Sequence, residues 1–143
     1  MEEGTTRTRL DPDTGDRFVA LRRQLGVSSF GINQVVLQPG QRGRIHRHQA
    51  QEEVYVVLEG RLTLIVEGEE TDLGVGELIR VAPRLRRQLV NRGPRRLLLI
   101  ALGGHGEHRG RDGEAFASWE QDVGVPPQEL PLPADLNPDE LRS

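Results

Sequence analysis

From Phe30 to Leu102 the chain alternates short apolar runs with turn residues, and none of these runs carries the 3.6-residue period of a helix. Ile32 to Leu37 is rich in β-branched residues and is stopped by Pro39-Gly40. Arg44 to His48, Val54 to Leu58, Leu62 to Val66, Glu70 to Leu73, Leu78 to Val81, Arg86 to Asn91 and Leu97 to Leu102 follow. The turns between them are built on Gly60, Glu67 to Glu70, Gly74/Gly76 and Arg92-Gly93-Pro94. About eight closely spaced strands predict an antiparallel sandwich or barrel. The connections are too short for helical crossovers, which excludes a parallel α/β sheet.

The faces of these strands differ. Leu62, Leu64 and Val66 share one face, and Arg61, Thr63 and Ile65 the other. Val54 to Leu58 is apolar on both faces, so it is expected to be covered twice, by the barrel interior and by an arm or a second subunit. A homodimer is the expectation that follows. Residues 1–29 read as an N-terminal arm, polar over 1–16, with Phe18, Leu21 and Leu25 spaced for either a short helix or an extended segment. Residues 104–143 hold five of the nine prolines, so this tail is expected to run extended over a surface. Glu114 to Gln121 is the exception, where one or two helical turns would bury Phe116 and Trp119.

Composition narrows the classes. The 143 residues are 35% hydrophobic and include 17 glycines, within the range of one globular domain. No stretch is long and apolar enough for a membrane helix, and the acidic N-terminus lacks a secretory core, so a cytoplasmic location is expected. The absence of cysteine removes disulfides, thiolate ligands and thiol nucleophiles. All 19 basic residues are arginine, which removes Schiff-base chemistry. A net charge of −3 and a pI near 5.8 make nucleic acid an unexpected partner.

The chemistry left to such a chain rests on His, Glu, Arg, Tyr or a bound ion. His46 and His48 stand at i and i+2 of a predicted strand, so both imidazoles project to one side, with Cα atoms about 7 Å apart. Glu53 follows after the chain has turned into the next strand. Two histidines and a carboxylate converging on one point suit Fe, Mn, Ni, Zn or Cu.

The surrounding glycines add a pattern: Gly40, five residues, His46, one, His48, four, Glu53, six, Gly60. Roughly a few chance matches in 10⁴ are expected from a chain of this composition. The pattern resembles the first signature motif of the cupin superfamily, in particular its small single-domain bacterial members. The resemblance implies an all-β, cupin-type double-stranded β-helix, a jelly-roll barrel, over about residues 30–103 of a single domain spanning 1–143. It also implies a mononuclear divalent metal held by His46, His48 and Glu53. Tyr55 and Val57 share Glu53's face and would either line the pocket or pack in the core.

A second motif begins at Gly76 and keeps its spacing through Ala82-Pro83-Arg84 and Arg87 to Asn91, but Arg87 stands where the family has a fourth ligand, His. A guanidinium cannot ligate. At about 4 Å it would repel a divalent ion by roughly 8 kcal/mol at an effective dielectric of about 20, before Glu53 offsets about half. Three readings stay open. The three residues hold the ion alone; or the metal is lost and Arg87 pairs with Glu53 in a pocket for an anionic small molecule; or Gln88, His105 or His108 supplies the fourth ligand. The matching functions are a dioxygenase-like or isomerase-like metal site acting on a small molecule, or a metal-free small-molecule binder or sensor.

Overall fold

The computed structural model describes residues 4–104 and 112–142. Ten strands form two five-stranded antiparallel sheets. They are β1 (Phe18–Ala20), β2 (Gly31–Leu37), β3 (Ile45–His48), β4 (Glu52–Glu59), β5 (Leu62–Val66), β6 (Glu69–Leu73), β7 (Leu78–Val81), β8 (Arg87–Val90), β9 (Leu97–Gly104) and β10 (Gly113–Phe116). The first sheet runs β1-β2-β9-β4-β7 and the second β10-β3-β8-β5-β6.

Alternation along each strand decides what lies between the sheets. Val35 and Leu37, Tyr55 and Val57, Leu62 and Leu64, and Leu97, Leu99 and Ala101 all point inward and form one core with Leu73, Val81 and Leu89. Each buried Leu or Val contributes about 1.5–3 kcal/mol. The result is the antiparallel sandwich expected from the strand pattern, and a jelly-roll as the resemblance implies.

The glycines of the first motif shape turns. Gly60 joins β4 to β5 at φ 80° and lies so close to β9 that a Cβ there would sit 2.2 Å from the Arg96 carbonyl oxygen. Only glycine satisfies both the left-handed backbone and that approach. Gly40 and Gly76 are also left-handed.

In the arm the structure combines the two expected alternatives, and in the tail it departs from expectation. In the arm, Phe18 belongs to β1, which pairs with β2, and a single helical turn, α1 (Leu21–Leu25), follows. Leu21 is buried while Phe18 is exposed. In the tail, Glu114 to Gln121 does not start as a helix. Gly113 to Phe116 extends the second sheet by pairing with β3, and Phe116 is buried there. The i, i+3 spacing of Phe116 and Trp119 mimicked a helical face, but the open edge of β3 offered a ladder to the backbone. Beyond β10 the tail crosses the outside of the second sheet, extended except for 3-10 turns at Pro127–Glu129 and Pro138–Glu140. The Arg44 Nε donates to the Leu130 carbonyl at 2.8 Å, the Arg42 Nε to Ala134 at 2.9 Å, and the Leu136 amide to Gly40 at 2.8 Å.

Candidate metal centre

β3 and β4 present His46, His48 and Glu53 to one point near one end of the space between the sheets. One ligand atom from each of the three residues lies within 4.8 Å of the others, the only such group of His, Asp and Glu among the described residues. The His46 Nε2 is 3.4 Å from Glu53 Oε1, and the His48 Nε2 is 3.3 Å from Oε2. The two rings meet edge to face with centroids 5.3 Å apart.

The far nitrogen of each ring fixes what the near one can do. His46 Nδ1 faces the Arg44 carbonyl at 3.2 Å, and His48 Nδ1 faces Asp112 Oδ1 at 2.7 Å. Both partners only accept, so each Nδ1 carries the hydrogen. In the neutral rings both Nε2 atoms are then lone pairs aimed at a carboxylate. The His48 Nε2 is buried and makes no hydrogen bond. Lone pairs facing a carboxylate call for a cation between them, and the donor set fits a divalent transition ion.

Asp112, just before β10, is the residue that sequence reasoning missed. It accepts the backbone amides of Ala50 and Gln51, each at 3.0 Å, and the Gln51 side-chain amide at 3.0 Å, besides the His48 imidazole. No local signal marks it, since it comes from the tail outside the first motif.

Arg87 is fully buried and lies opposite His46 in the β3–β8 register. Its guanidinium turns to the β7 end: Nη2 donates to the Ala82 carbonyl at 2.8 Å and Nη1 to Pro83 at 3.4 Å. Its Nε makes no hydrogen bond and lies 3.9 Å from Glu53 Oε1. Arg87 therefore combines both conditions under which a cation can sit beside an ion, pointing its fork away and facing an acid.

Tyr55 donates to Glu53 Oε1 at 2.5 Å. Burial and the Glu53 charge push its hydroxyl well above the usual 10, so it stays a donor. Tyr55 and Val57 are both core residues, at 1% and 0% exposure. Gln88 faces the opposite side of β8, where its amide nitrogen donates to the Gly43 carbonyl at 3.0 Å. His105 and His108 lie outside the described residues.

Protonation of the cluster has a defined sense. Burial lowers His48, but the facing carboxylates of Glu53 and Asp112 outweigh it, leaving the imidazole above its ordinary 6.5. Burial raises Glu53, but His46 and His48 outweigh it and hold the carboxyl well below 4.5. A raised His48 stabilises the fold below 6.5, and that contribution is lost as pH rises through the folded value. A depressed Glu53 contributes above 4.5, and its contribution is lost as pH falls through the folded value. The metal-free protein is thus expected to gain most from this cluster between pH 4.5 and 6.5. A bound divalent ion competes with the proton for Nε2 and should move that optimum upward. Thermal melts across pH, with chelator and with Zn²⁺, check this; coincident profiles would contradict it.

Comparison with known proteins agrees with the fold. The cupin domain family matches residues 33–103, from β2 through β9. No curated protein matches the sequence. Among solved structures, a cupin protein from Bacteroides fragilis superposes with a TM-score of 0.64 at 19% identity, covering 86% of this chain and 99% of its own. A cupin-superfamily sugar phosphate isomerase from Silicibacter pomeroyi gives 0.63 at 24% identity, covering 82% of this chain and 80% of its own. A Cupin 2 conserved barrel domain protein from Salinispora arenicola gives 0.62 at 21%, covering 72% and 91%. At these identities the likeness is one of fold. The fold and the matched region together define a small β-barrel protein, and the chain belongs to the cupin superfamily.

Proposed function

We infer that this cupin is a mononuclear metal protein acting on a small molecule, with His46, His48 and Glu53 as its ligands. The observation that carries the reading is the pair of imidazoles whose Nδ1 atoms are tied to acceptors while both Nε2 atoms face one carboxylate. A divalent ion there supplies Lewis acidity or a place for dioxygen, the chemistry of isomerase-like and dioxygenase-like reactions. The chain's own residues set the stage. Asp112 keeps the proton on His48 Nδ1, Tyr55 holds one oxygen of Glu53, and Arg87 offsets the carboxylate charge without entering the ligand set. The sugar phosphate isomerase from Silicibacter pomeroyi is a precedent for isomerase chemistry on this fold.

A second reading rests on the 3.9 Å approach of Arg87 to Glu53. In it this ion pair replaces the metal, and the protein binds or senses an anionic ligand. Elemental analysis of protein purified without chelator or affinity tag separates the two. About one transition ion per chain, lost in His46→Ala, is expected for a three-ligand site. Less than about 0.1 per chain, the same in His46→Ala, would sink the metal reading in favour of the second.

The proposal extends to a homodimer through the outer face of the first sheet. The arm covers one part of this face, where Asp11 and the buried Gln34 exchange two hydrogen bonds. Val54, Val56, Ile100 and Leu102 are only partly buried, and Leu58 and Leu78 are 40% and 63% exposed. Such a contiguous apolar patch favours a self-complementary contact. Light scattering at micromolar concentration is expected to give twice the 16.0 kDa chain mass, and a monomer would count against the dimer.

A further inference from the structure

The tail's course over the second sheet leaves a half-open cavity of about 470 Å³ between the sheet's outer face and the proline-rich segment. This is the size of a small-molecule site. It lies on the opposite side of β3 and β8 from the metal ligands, since Ile45 and Gln88 line it while His46 and Arg87 face inward.

Arg42 and Arg44 line this cavity, and each spends its Nε on a tail carbonyl, Ala134 or Leu130. Neither has a carboxylate within 4 Å among the described residues, whereas Arg47, Arg86, Arg92, Arg96 and Arg142 all do. The Nε bonds pin both guanidinium groups and leave their Nη edges without a hydrogen-bond partner among the described residues. A pinned guanidinium edge suits a carboxylate or phosphoryl oxygen pair, because little side-chain freedom is lost on binding. Gln88 is 4% exposed, gives its amide nitrogen to Gly43, and adds a polar side chain to the same lining. Trp119 and Phe116 supply aromatic surface to the same lining, and Glu120 is its one carboxylate.

We propose that this cavity is a second ligand site, separate from the metal centre, for a small molecule that joins a carboxylate or phosphoryl group to a planar apolar body. The tail is then one wall of a binding site. It does not depend on whether the barrel holds a metal.

Trp119 is the chain's one tryptophan, so its fluorescence reports on this cavity directly. Phenyl phosphate and phenylacetate titrated into the intact protein are expected to change its emission saturably, more weakly at high salt, while benzyl alcohol does not. The stronger of the two anions identifies the head group. Arg42→Gln combined with Arg44→Gln should weaken binding at least about tenfold. Glu120→Gln should strengthen it, a gain that a misfolded variant cannot produce. No saturable change with either anion, an affinity untouched by both sets of substitutions, or a response abolished by His46→Ala and retained in the arginine variant would overturn the proposal.

Discussion

Replacing Arg87 with methionine is expected to destabilise the metal-free protein by about 3–5 kcal/mol, the usual cost of leaving a buried charge without its partner. The charge left with one counter-ion fewer is that of Glu53, 3.9 Å from the Arg87 Nε. The Ala82 and Pro83 carbonyls lose their donor as well. The same replacement should act in the opposite direction on metal binding. A guanidinium beside the ligand set would repel a divalent ion held there, so its removal should tighten Zn²⁺ or Co²⁺ by at least about tenfold. Urea denaturation in chelator and a metal titration of the same variant read the two effects separately. A variant with unaltered stability and affinity would mean that Arg87 does not sense the site. Tightened binding alone would mean that Glu53 was already balanced by the two histidines.

Asp112→Ala is expected to lower divalent-ion affinity about ten- to a hundredfold, the range for losing the group that orients a ligating histidine. Asp112→Asn should recover part of that loss. Its amide oxygen can still accept from His48 Nδ1, but its amide nitrogen cannot accept from the Ala50 and Gln51 backbone, as the carboxylate does. Long-range ¹H–¹⁵N spectra of the metal-free protein give a second readout, expected to show the Nδ1–H form of His48 in the wild type and its loss in the alanine variant. Equal affinity and an unchanged tautomer in Asp112→Ala would show that His48 is aligned without the carboxylate.

The residues the sequence revealed are those whose placement follows from strand periodicity and a short turn. His46 and His48 project together because a strand repeats every two residues, and Glu53 arrives beside them after one tight connection. The inward direction of Arg87 was legible for the same reason, but the path of its guanidinium was not. Where a long flexible side chain ends depends on which carbonyls lie open, here those at the end of β7. Asp112 was illegible because it stands 64 positions from the histidine it holds, and pairing at that separation is decided by the free edge of β3. The same edge accounts for the start of the misread segment, Glu114 to Phe116. Its local spacing allowed a helix, and a vacant ladder decided for a strand.

The region that matches the cupin domain closes at residue 103, while the aspartate that steadies His48 lies beyond it. A shortened chain cut to that boundary would keep every residue of the first motif and still lack one support of its metal centre. It would also lose Phe116 and Leu136 from their buried positions, and so expose Ile45 and Gln88 on the outer side of the second sheet. For excision, fusion or transplantation of this barrel, the unit to move is therefore the barrel together with its proline-rich strap.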